Sequence, residues 1–319
     1  MIRTAECITP HHPDKICDRV SDAILDACLE QDPSSRVAIE TMGGHRKIIV
    51  MGELTTNAAV DIPAVIRSVY DDVDEIIVHV AKQSNFISQG VDTGGAGDQG
   101  IMVGYACNDN EQKIPQELYL ARDICRRLYK DYPFDGKTQV TLDDDKITAV
   151  VASFQNAPAT ELRSMIDEWL HEIDQPVAAS MEVHCNPAGD WEVGGFDADT
   201  GLTGRKLVVD NYGPRVPIGG GAFSGKDPSK VDRSAAYMAR RIAVDYLKKH
   251  QANEVYVYLA YAIGHPAPVQ ATAIVDGTSH GVTEYNLTPE GIATLLELRQ
   301  PRYRKTAEWG HFGNGFIWG

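Results

Sequence analysis

One glycine-rich tract carries the strongest chemical signal in this sequence. Residues 219–234 join a run of glycines to the cations Lys226, Lys230 and Arg233, with Asp232 among them. Glycines let a backbone approach a ligand closely, and the first turn of a helix presents N–H groups and a positive dipole end to an anion. A flexible loop before a capped helix would also contain glycines, yet three cations at the same place favour a phosphate site. We therefore predict that this tract binds phosphate and that Asp232 is available for a metal ion.

A P-loop is the alternative interpretation of the same tract. Gly220 is followed after four residues by Gly225 and Lys226, which is the spacing of that motif. The next residue is Asp227, where a P-loop has the Ser or Thr that holds Mg²⁺. A P-loop ATPase or kinase therefore stays open as an alternative function, and Asp227 disfavours it.

The helix that should begin at Pro13 opens with a second polar tract. His12 could protonate or hydrogen-bond a leaving phosphate oxygen, Asp14 could bind Mg²⁺, and Lys15 could offset phosphate charge. Ordinary helix capping produces similar sequences, so this tract is a weak signal by itself. It continues into a row of aspartates at i, i+4 spacing, namely Asp14, Asp18, Asp22 and Asp26. Because like charges at this spacing repel mildly, the row should attract cations, while its outer members are expected in solvent.

Two shorter tracts complete the candidate chemistry. Residues 95–100 place Asp98 among glycines, which suits either a plain turn or a loop that holds a ligand or metal. Residues 201–206 end in Arg205 and Lys206, which suits either a surface basic pair or a clamp for phosphates, since Arg offers a fork of donors. Taken alone, the basic pair is better explained as ordinary surface charge.

The composition limits the partners that such a site can serve. The chain has 319 residues and a formal net charge of −15, with 43% apolar and 24% charged residues. A nucleic-acid-binding face would be basic, so we expect no nucleic acid partner. No stretch approaches the ~20 apolar residues of a membrane span, and residues 1–6 contain no apolar leader segment. We therefore expect no membrane partner. Six cysteines without a CxxC pair are typical of reduced, mostly buried thiols, so we also expect a cytoplasmic protein.

Hydrophobic periodicity predicts the elements that must position these tracts. The predicted helices are residues 13–30, 61–70, 115–129, 160–172 and 228–249, and a last one from about 289. The predicted strands are residues 36–40, 47–55, 75–80, 138–142, 146–154, 181–186, 206–210, 254–263 and 269–275. For the longest helix, Asp227 should be the N-cap and Pro228 the first residue. Hairpins and helices recur about three times, which predicts an α+β fold.

Taken together, the tracts resemble the signature segments of one family, the S-adenosylmethionine synthetases. The matching segments are residues 12–15, 95–100, 201–206 and 219–234, with further matches at 52–56, 89–92, 261–264 and 310–313. They occur in the family's order and cover nearly the whole chain. The resemblance implies an α+β fold of three similar subdomains, each a sheet backed by helices, which we place at residues 1–92, 93–192 and 193–319. It also implies a homodimer, or a dimer of dimers, with active sites between the subunits.

The reaction that the resemblance implies belongs to one-carbon metabolism. The sulfur of L-methionine attacks the 5′ carbon of ATP and expels the whole triphosphate, which is then hydrolysed to phosphate and pyrophosphate. The protein must stabilise a large departing polyanion with positioned cations and N–H groups. This demand would explain why an acidic chain collects Lys and Arg around glycine loops.

The resemblance also implies roles for individual residues. Those implied in catalysis are His12, Lys137, Arg205 and Lys226. Those implied to bind ATP are His12, Lys15, Asp135, Lys137, Trp191, Asp199, Arg205, Lys206, Ala222 and Lys226, of which the tryptophan would stack on adenine. Those implied to bind methionine are Glu53, Gln89, Asp98, Asp199 and Lys230. The implied metal positions are Asp14 and Asp232 for Mg²⁺, with two ions expected per site, and Glu40 for K⁺.

The sequence departs from the family's pattern at several places. His11 stands where the family has Gly, the loop between the Gln89 and Gly95 segments is shorter than usual, and residues 66–82 lack an insertion. The family's C-terminal extension is also not found after Phe312. Because lids exclude water and complete active sites, the short loop predicts weaker closure over methionine. A catalytically weakened homologue that serves as a nucleotide-binding subunit is the third hypothesis, although the charged positions named above are all retained.

Overall fold

A computed structural model describes residues 1–82 and 94–319. Its strands are β1 (Ile2–Ile8), β2 (Arg36–Gly44), β3 (Lys47–Thr55), β4 (Glu75–Ala81), β5 (Gly100–Cys107), β6 (Gly136–Asp143), β7 (Lys146–Phe154), β8 (Val177–Cys185), β9 (Gly201–Leu202), β10 (Glu254–Tyr261), β11 (Gln270–Val275) and β12 (Thr278–Gly281). Its helices are α1 (Pro13–Gln31), α2 (Ile62–Val69), α3 (Gln116–Asp131), α4 (Ala159–Glu172), α5 (Leu207–Asp210), α6 (Val231–His250), α7 (Pro289–Leu295) and α8 (Tyr303–Trp309), with 3-10 turns at Gly195–Asp197 and Gly213–Arg215.

The fold is α+β, which confirms the sequence prediction. Within the described residues the strands form three four-stranded sheets, with the orders β1-β6-β7-β8, β12-β11-β10-β5 and β4-β3-β2-β9, which we call the first, second and third sheets. Neighbouring strands are antiparallel except in the pairs β7–β8 and β3–β4. Helix α3 packs on the first sheet, α6 on the second and α1 on the third. Each sheet is therefore backed by a helix, as the resemblance implies.

The sheets combine segments that are far apart in the chain. β1 pairs with β6, so that Ala5 lies opposite Val140, and β5 pairs with β10, so that Gly104 lies opposite Val257. Gly104 also allows α6 to approach β5 closely, because a Cβ there would lie 2.1 Å from the backbone of Ala239. The division of the chain into three consecutive subdomain ranges stays a prediction.

The apolar core lies on one face of each sheet. In the third sheet Val37, Ile39, Ile48 and Val50 are fully buried beneath α1, and the same cluster continues under the second sheet. A second large cluster fills the space between the first sheet and helices α3 and α4. Alternation along β2 and β3 leaves the opposite face of the third sheet open, and that face includes two candidate site residues described below.

Two predicted elements around the basic tracts are wrong. Residues 206–210, predicted as a strand, contain the short helix α5, whose last carbonyls accept hydrogen bonds from the buried guanidinium of Arg122. Helix α6 begins at Val231 rather than at Pro228. The reason is that Asp227, the predicted N-cap, is bonded to the edge of β2 instead. Tertiary contacts thus override the local signals in both tracts.

The sequence prediction also misses elements elsewhere. β1 and β5 were not predicted, and α8 was not separated from the C-terminal region. The hairpin between β2 and β3 turns at His45 and Arg46, with φ of 50° and 62°. In the described residues no helix has the length and apolar character that crossing a membrane would require.

Candidate functional site

The edge of β2 holds both basic tracts against α1. Gly201–Leu202 (β9) pairs with one end of this edge, and Lys226 forms a bridge with the other. Between them the Ser21 hydroxyl oxygen lies 2.8 Å from the hydroxyl oxygens of both Thr41 and Thr203, and all three residues are buried. One strand edge and one helix therefore fix the relative position of the two tracts.

Asp14 and Asp18, the first two aspartates of the α1 row, hold the tract at residues 201–206. Asp14 Oδ1 accepts the N–H of Leu202 at 2.9 Å, and Asp18 Oδ1 accepts the N–H of Gly204 at 2.8 Å. Carboxylates that accept backbone N–H groups in this way form strong, charge-assisted hydrogen bonds. The sequence predicts that the row attracts cations, and the structure adds backbone N–H groups as donors to it.

Asp22 and Asp26, the outer aspartates of the row, hold two later segments. Asp22 Oδ1 accepts the N–H of Gly225 at 2.9 Å. Asp26 accepts the N–H groups of Tyr303 and Arg304, each at 2.9 Å, at the start of α8. The expectation that these outer carboxylates lie in solvent is wrong, because the free N–H groups at a helix start and in a buried loop need acceptors.

A first charged cluster forms around the N-terminus of α1. Its members, which we call the His12 cluster, are His12, Asp14, Asp135, Lys137, Asp199, Arg205 and Lys206. At its centre the carboxylate of Asp14 is fully buried and accepts from Arg205 Nε at 2.8 Å and from Lys206 Nζ at 2.5 Å. The carboxylate predicted to hold Mg²⁺ thus lies between two cations predicted to bind phosphate.

The imidazole of His12 is neutral in this structure. Burial, with Lys206 and Lys137 nearby, lowers the pKa of His12 to about 4. Its Nδ1 accepts the N–H of Asp14 at 3.2 Å, as an N-cap does, so the ring proton is assigned to Nε2. Of the two roles that the sequence allows, hydrogen bonding to a leaving oxygen therefore fits His12 better than protonation of it.

Three further members of the His12 cluster are candidate ATP residues, and Trp191 is a candidate outside the cluster. Asp135 accepts a backbone N–H of the first 3-10 turn at 3.0 Å, and burial raises its pKa. Lys137 follows on β6 with an exposed side chain, and Asp199 is exposed as well. The half-buried Trp191 donates its indole N–H to Asn186 Oδ1 at 3.3 Å, so the plane of its ring is fixed.

A second charged cluster lies at the other end of the β2 edge. Its members, which we call the Lys226 cluster, are Glu40, Glu53, Lys226 and Asp232. Lys226 Nζ donates to Asp232 Oδ2 at 2.6 Å, and the N–H of Gly221 donates to Asp232 Oδ1 at 3.0 Å. Partial burial raises the pKa of Glu40, Lys226 opposes that shift, and Glu53 adds to it. Here too a predicted Mg²⁺ carboxylate is paired with a predicted phosphate cation.

No hydrogen bond or ion pair joins the His12 cluster to the Lys226 cluster within residues 1–82 and 94–319. Along β2 the attachment points of the two tracts, Ala38 and Met42, are four residues apart, which corresponds to roughly 13 Å of strand. The structure therefore gathers the predicted site residues into two groups on one chain.

Lys15 was predicted to contact ATP, and the structure gives it another environment. Its side chain is fully buried, and its ammonium donates to Asp18 at 3.2 Å and to Asp210 at 2.5 Å. Because two carboxylates enclose the ammonium, Lys15 balances buried negative charge and does not face the open site. Sequence reasoning missed Asp210, since its partner is 195 residues away and no local pattern marks it.

Three further predicted residues in the described part of the chain lie apart from these contacts. Lys230 is the N-cap residue of α6, and its ammonium pairs with Asp227. Ala222 packs against the loop at residues 203–205, and Asp98 is exposed near the start of β5. Gln89 lies outside the described residues, as does the short loop around it.

Several backbone N–H groups of the glycine-rich tract are used within the protein. Gly225 donates to an α1 carboxylate, Lys226 donates to the carbonyl of Phe223 at 3.2 Å, and Asp227 donates to the carbonyl of Val37 at 3.0 Å. A P-loop instead turns its N–H groups towards phosphates. This geometry disfavours the P-loop alternative further.

The described residues contain no group of three or more His, Cys, Asp and Glu side chains that could hold a metal ion by themselves. Mg²⁺ commonly binds one or two protein carboxylates and takes its other ligands from water and substrate phosphates. Asp14 and Asp232 fit that pattern, since each is a carboxylate next to candidate phosphate cations.

In both clusters carboxylates are paired with Lys and Arg side chains on helix-backed sheets. This is an arrangement that suits a metal-bound polyphosphate. Comparison with known sequences identifies the family. Family models described as the N-terminal, central and C-terminal domains of S-adenosylmethionine synthetase match residues 1–89, 93–191 and 193–319 respectively. The chain belongs to the S-adenosylmethionine synthetase family, which confirms the resemblance.

Individual relatives match this chain over most of their length. The S-adenosylmethionine synthase of Treponema denticola is 40% identical, with 99% of this chain and 94% of that protein covered. Those of Brachyspira hyodysenteriae and Desulforudis audaxviator are 41% and 38% identical, with 97% and 98% of this chain and 92% and 93% of those proteins covered. The alignment with the Treponema denticola protein spans 367 positions, so that protein carries insertions relative to the 319 residues here.

Proposed function

We propose that this chain is a methionine adenosyltransferase that forms S-adenosylmethionine from ATP and L-methionine, and that it hydrolyses the expelled triphosphate to phosphate and pyrophosphate. One observation carries the proposal. Asp14 and Asp232, the carboxylates proposed for Mg²⁺, each pair with Lys or Arg side chains proposed for phosphate. Membership of the family, whose named relatives are synthases of S-adenosylmethionine, supports the same reaction. We also propose a cytoplasmic location, because five of the six cysteines are buried as free thiols.

In this proposal the substrate replaces carboxylates as the partner of the cations. Arg205, Lys206 and Lys226 turn from Asp14 and Asp232 to phosphate oxygens, where they stabilise the charge that develops on the departing triphosphate. Lys137 and His12 contribute donors from the same side, the latter through Nε2–H. The cations are thus held near the reaction centre before ATP arrives.

The other binding assignments are proposals of the same kind. For ATP they are Asp135, Trp191, Asp199 and Ala222. For methionine they are Glu53, Gln89, Asp98, Asp199 and Lys230. Lys15 is proposed instead to support the fold beneath the site, because its ammonium is buried between carboxylates.

The proposed metals are two Mg²⁺ per site and one K⁺. Asp14 and Asp232 would each supply a carboxylate oxygen to Mg²⁺, and the bound ions would neutralise phosphate charge. Glu40 would face K⁺, and the proximity of Glu53 leaves net negative charge there for a cation to balance. These residues are charged and close to the phosphate candidates, so they fit the ions.

Product analysis tests the reaction. The protein should be incubated with ATP, methionine, Mg²⁺ and K⁺, and the products separated by chromatography. S-adenosylmethionine with phosphate and pyrophosphate is the expected result, and omission of methionine should abolish the adenosyl product. Formation of ADP would support the P-loop kinase alternative, and absence of turnover would support the weakened homologue.

We further propose a homodimer, or a dimer of dimers, with active sites between the subunits. The open face of the third sheet carries a row of exposed apolar side chains, Met42, Met51, Ile77 and Leu202. Glu40 and Glu53 lie on this same face. Exposed apolar faces of this kind mark protein interfaces, and a second copy seated here would cover the apolar row beside two candidate site residues.

Complementation tests the shared site. We assign His12, Lys137 and Arg205 to one chain of each site and Asp98, Lys226 and Asp232 to its partner. His12→Asn and Asp98→Asn should each be nearly inactive alone, and unfolding, mixing and refolding them together should restore activity. In a mixed dimer one site then collects both lesions and the other collects none. No recovery, with mixed dimers shown to have formed, would contradict the shared site.

A further inference from the structure

Asp22 is a buried carboxylate that the proposed reaction does not use directly. It lies on α1 and is fully buried. Its Oδ1 accepts the N–H of Gly225 at 2.9 Å and Nη1 of Arg233 at 2.6 Å, while its Oδ2 accepts Nη2 of Arg233 at 2.9 Å. One side chain of α1 thus accepts hydrogen bonds from both Gly225, which precedes Lys226, and Arg233, which follows Asp232.

Arg233 completes the same arrangement from α6. It is 1% exposed, its guanidinium lies 4.2 Å from the ring centroid of Tyr303, and Nη2 donates to Thr306 at 3.0 Å. Nη1, besides its bond to Asp22, lies 3.4 Å from the carbonyl oxygen of Lys226. The guanidinium is therefore fixed on several sides, and one of its contacts is the backbone of the candidate phosphate lysine.

The backbone of Gly225 leaves little freedom for this loop. Its φ is +80°, and a Cβ there would lie 1.9 Å from the carbonyl oxygen of Ile39. The loop is thus bonded to the β2 edge on one side and to Asp22 on the other. Removal of the Asp22 charge would leave Arg233 buried without its counter-ion and Gly225 with a weaker acceptor, so the position of Lys226 should change.

We propose that Asp22, acting directly on Gly225 and through Arg233, is a positioning residue that sets the ammonium of Lys226 opposite Asp232. The inference rests on the proposed function, because it treats Lys226 as a contact of the triphosphate. It adds a residue that touches neither ATP nor methionine. Asp22 links the α1 row to Gly225 and Arg233, which are the chain neighbours of Lys226 and Asp232.

The row itself supplies a matched control for the test. Asp26 lies one turn further along α1 and accepts backbone N–H groups at the start of α8, and no hydrogen bond in the described part of the chain joins it to residues 219–230. Asp22→Asn removes a fully buried negative charge and Asp26→Asn a partly buried one from the same helix face, and both keep the side-chain shape. Any general loss of folding should therefore affect both variants.

The measurements are kcat, the KM for methionine, and the affinity for tripolyphosphate with Mg²⁺ by calorimetry. Asp22→Asn should lower kcat at least tenfold and weaken tripolyphosphate binding by a similar factor, with the KM for methionine changed less than threefold. Asp26→Asn should stay within about threefold of the parent protein in all three, whatever its melting temperature. Equal effects of the two variants would overturn the inference.

A second variant covers the case in which Asp22→Asn does not fold. Arg233→Lys keeps a buried cation beside Asp22, but one ammonium cannot replace the planar fork that reaches the carboxylate and the Lys226 carbonyl together. It should show the same loss of kcat and of tripolyphosphate affinity. If the parent protein is active and a folded Arg233→Lys variant has the same kcat and the same affinity for tripolyphosphate, the inference is overturned. Absence of S-adenosylmethionine from the parent protein would overturn the proposed function, and this inference with it.

Discussion

The His12 cluster and the Lys226 cluster both pair a carboxylate with cations, but they differ in the burial of that carboxylate and in the number of its donors. In the first, Asp14 is fully buried and its carboxylate has three donors, one from a backbone and two from cations. In the second, Asp232 is 7% exposed and has one lysine and one backbone N–H as donors. The difference suggests that Asp14 serves the fold as well as the ligand, whereas the pair of Lys226 and Asp232 is set mainly by the loop around it.

The largest effect should come from removal of the Lys226 charge. We expect Lys226→Met to lower kcat by about 10²- to 10³-fold, because a single positioned donor to a developing anion typically contributes that much. Its free energy of unfolding should fall by about 1 to 2 kcal/mol, because the substitution breaks the charged hydrogen bond to Asp232. Steady-state kinetics and urea unfolding measure the two quantities. Lys249→Met, which removes a surface ion pair with Glu284, is the control and should keep full activity.

Near-normal kcat in Lys226→Met, with ATP still bound, would show that this lysine does not stabilise the leaving group. The Lys226 cluster would then differ from the His12 cluster in function as well as in the donors and burial of its carboxylate.

The two metal candidates should differ in what they contribute to folding. We expect Asp14→Asn to lower the free energy of unfolding by about 3 kcal/mol, because it leaves two cations and a buried N–H with a weaker acceptor. Asp232→Asn should cost about 1 to 2 kcal/mol, as expected for one charged hydrogen bond. Urea unfolding in Mg²⁺-free buffer measures both values. Equal losses would remove the distinction between the clusters.

The smallest effect concerns pH and the neutral state of His12. Because its pKa is about 4 in the fold and about 6.5 in an unfolded chain, the unfolded state takes up a proton between pH 7 and pH 5 that the folded state does not. The parent protein should therefore lose about 2 kcal/mol more stability over this range than His12→Asn, whose amide can still cap α1. His311, Asp18 and Asp26 also have shifted pKa values, but they titrate in both proteins and cancel in the difference.

Unfolding by urea at pH 7 and pH 5 gives the comparison. The same loss in both proteins would mean that His12 is protonated at pH 5 in the folded state. It would then act as a cation within the His12 cluster, and the assignment of its proton to Nε2 alone would be wrong.

Local patterns in the sequence predict most of the helices and hairpins and identify the four tracts. The alternation of β2 and β3 and the apolar face of α1 are examples, because their burial follows a fixed period. The pairing of β1 with β6 and of β5 with β10 leaves no such pattern, since strand partners more than 100 residues apart share no local signal. The candidate site follows the same rule. Residue types at Asp14 and Lys226 indicate their chemistry, but the acceptors of the loop N–H groups depend on tertiary contacts.

Lys15 and Asp22 show what was missed for this reason. A lysine in a polar first turn resembles a phosphate contact, and only the position of Asp210 reveals its buried environment. An aspartate in the middle of a helix resembles a solvated residue, and only the approach of Gly225 and Arg233 reveals its role.

The interleaving of the sheets also bears on how the chain acquires its fold during synthesis. β1 must remain without its partner until β6 has emerged, and β5 must remain so until β10 has emerged, about 150 residues later. Contacts of such long sequence separation slow folding and leave strand edges exposed to other chains. We therefore expect that a nascent or truncated chain lacking β10 depends on chaperones, and that no one of the three family segments folds when expressed alone.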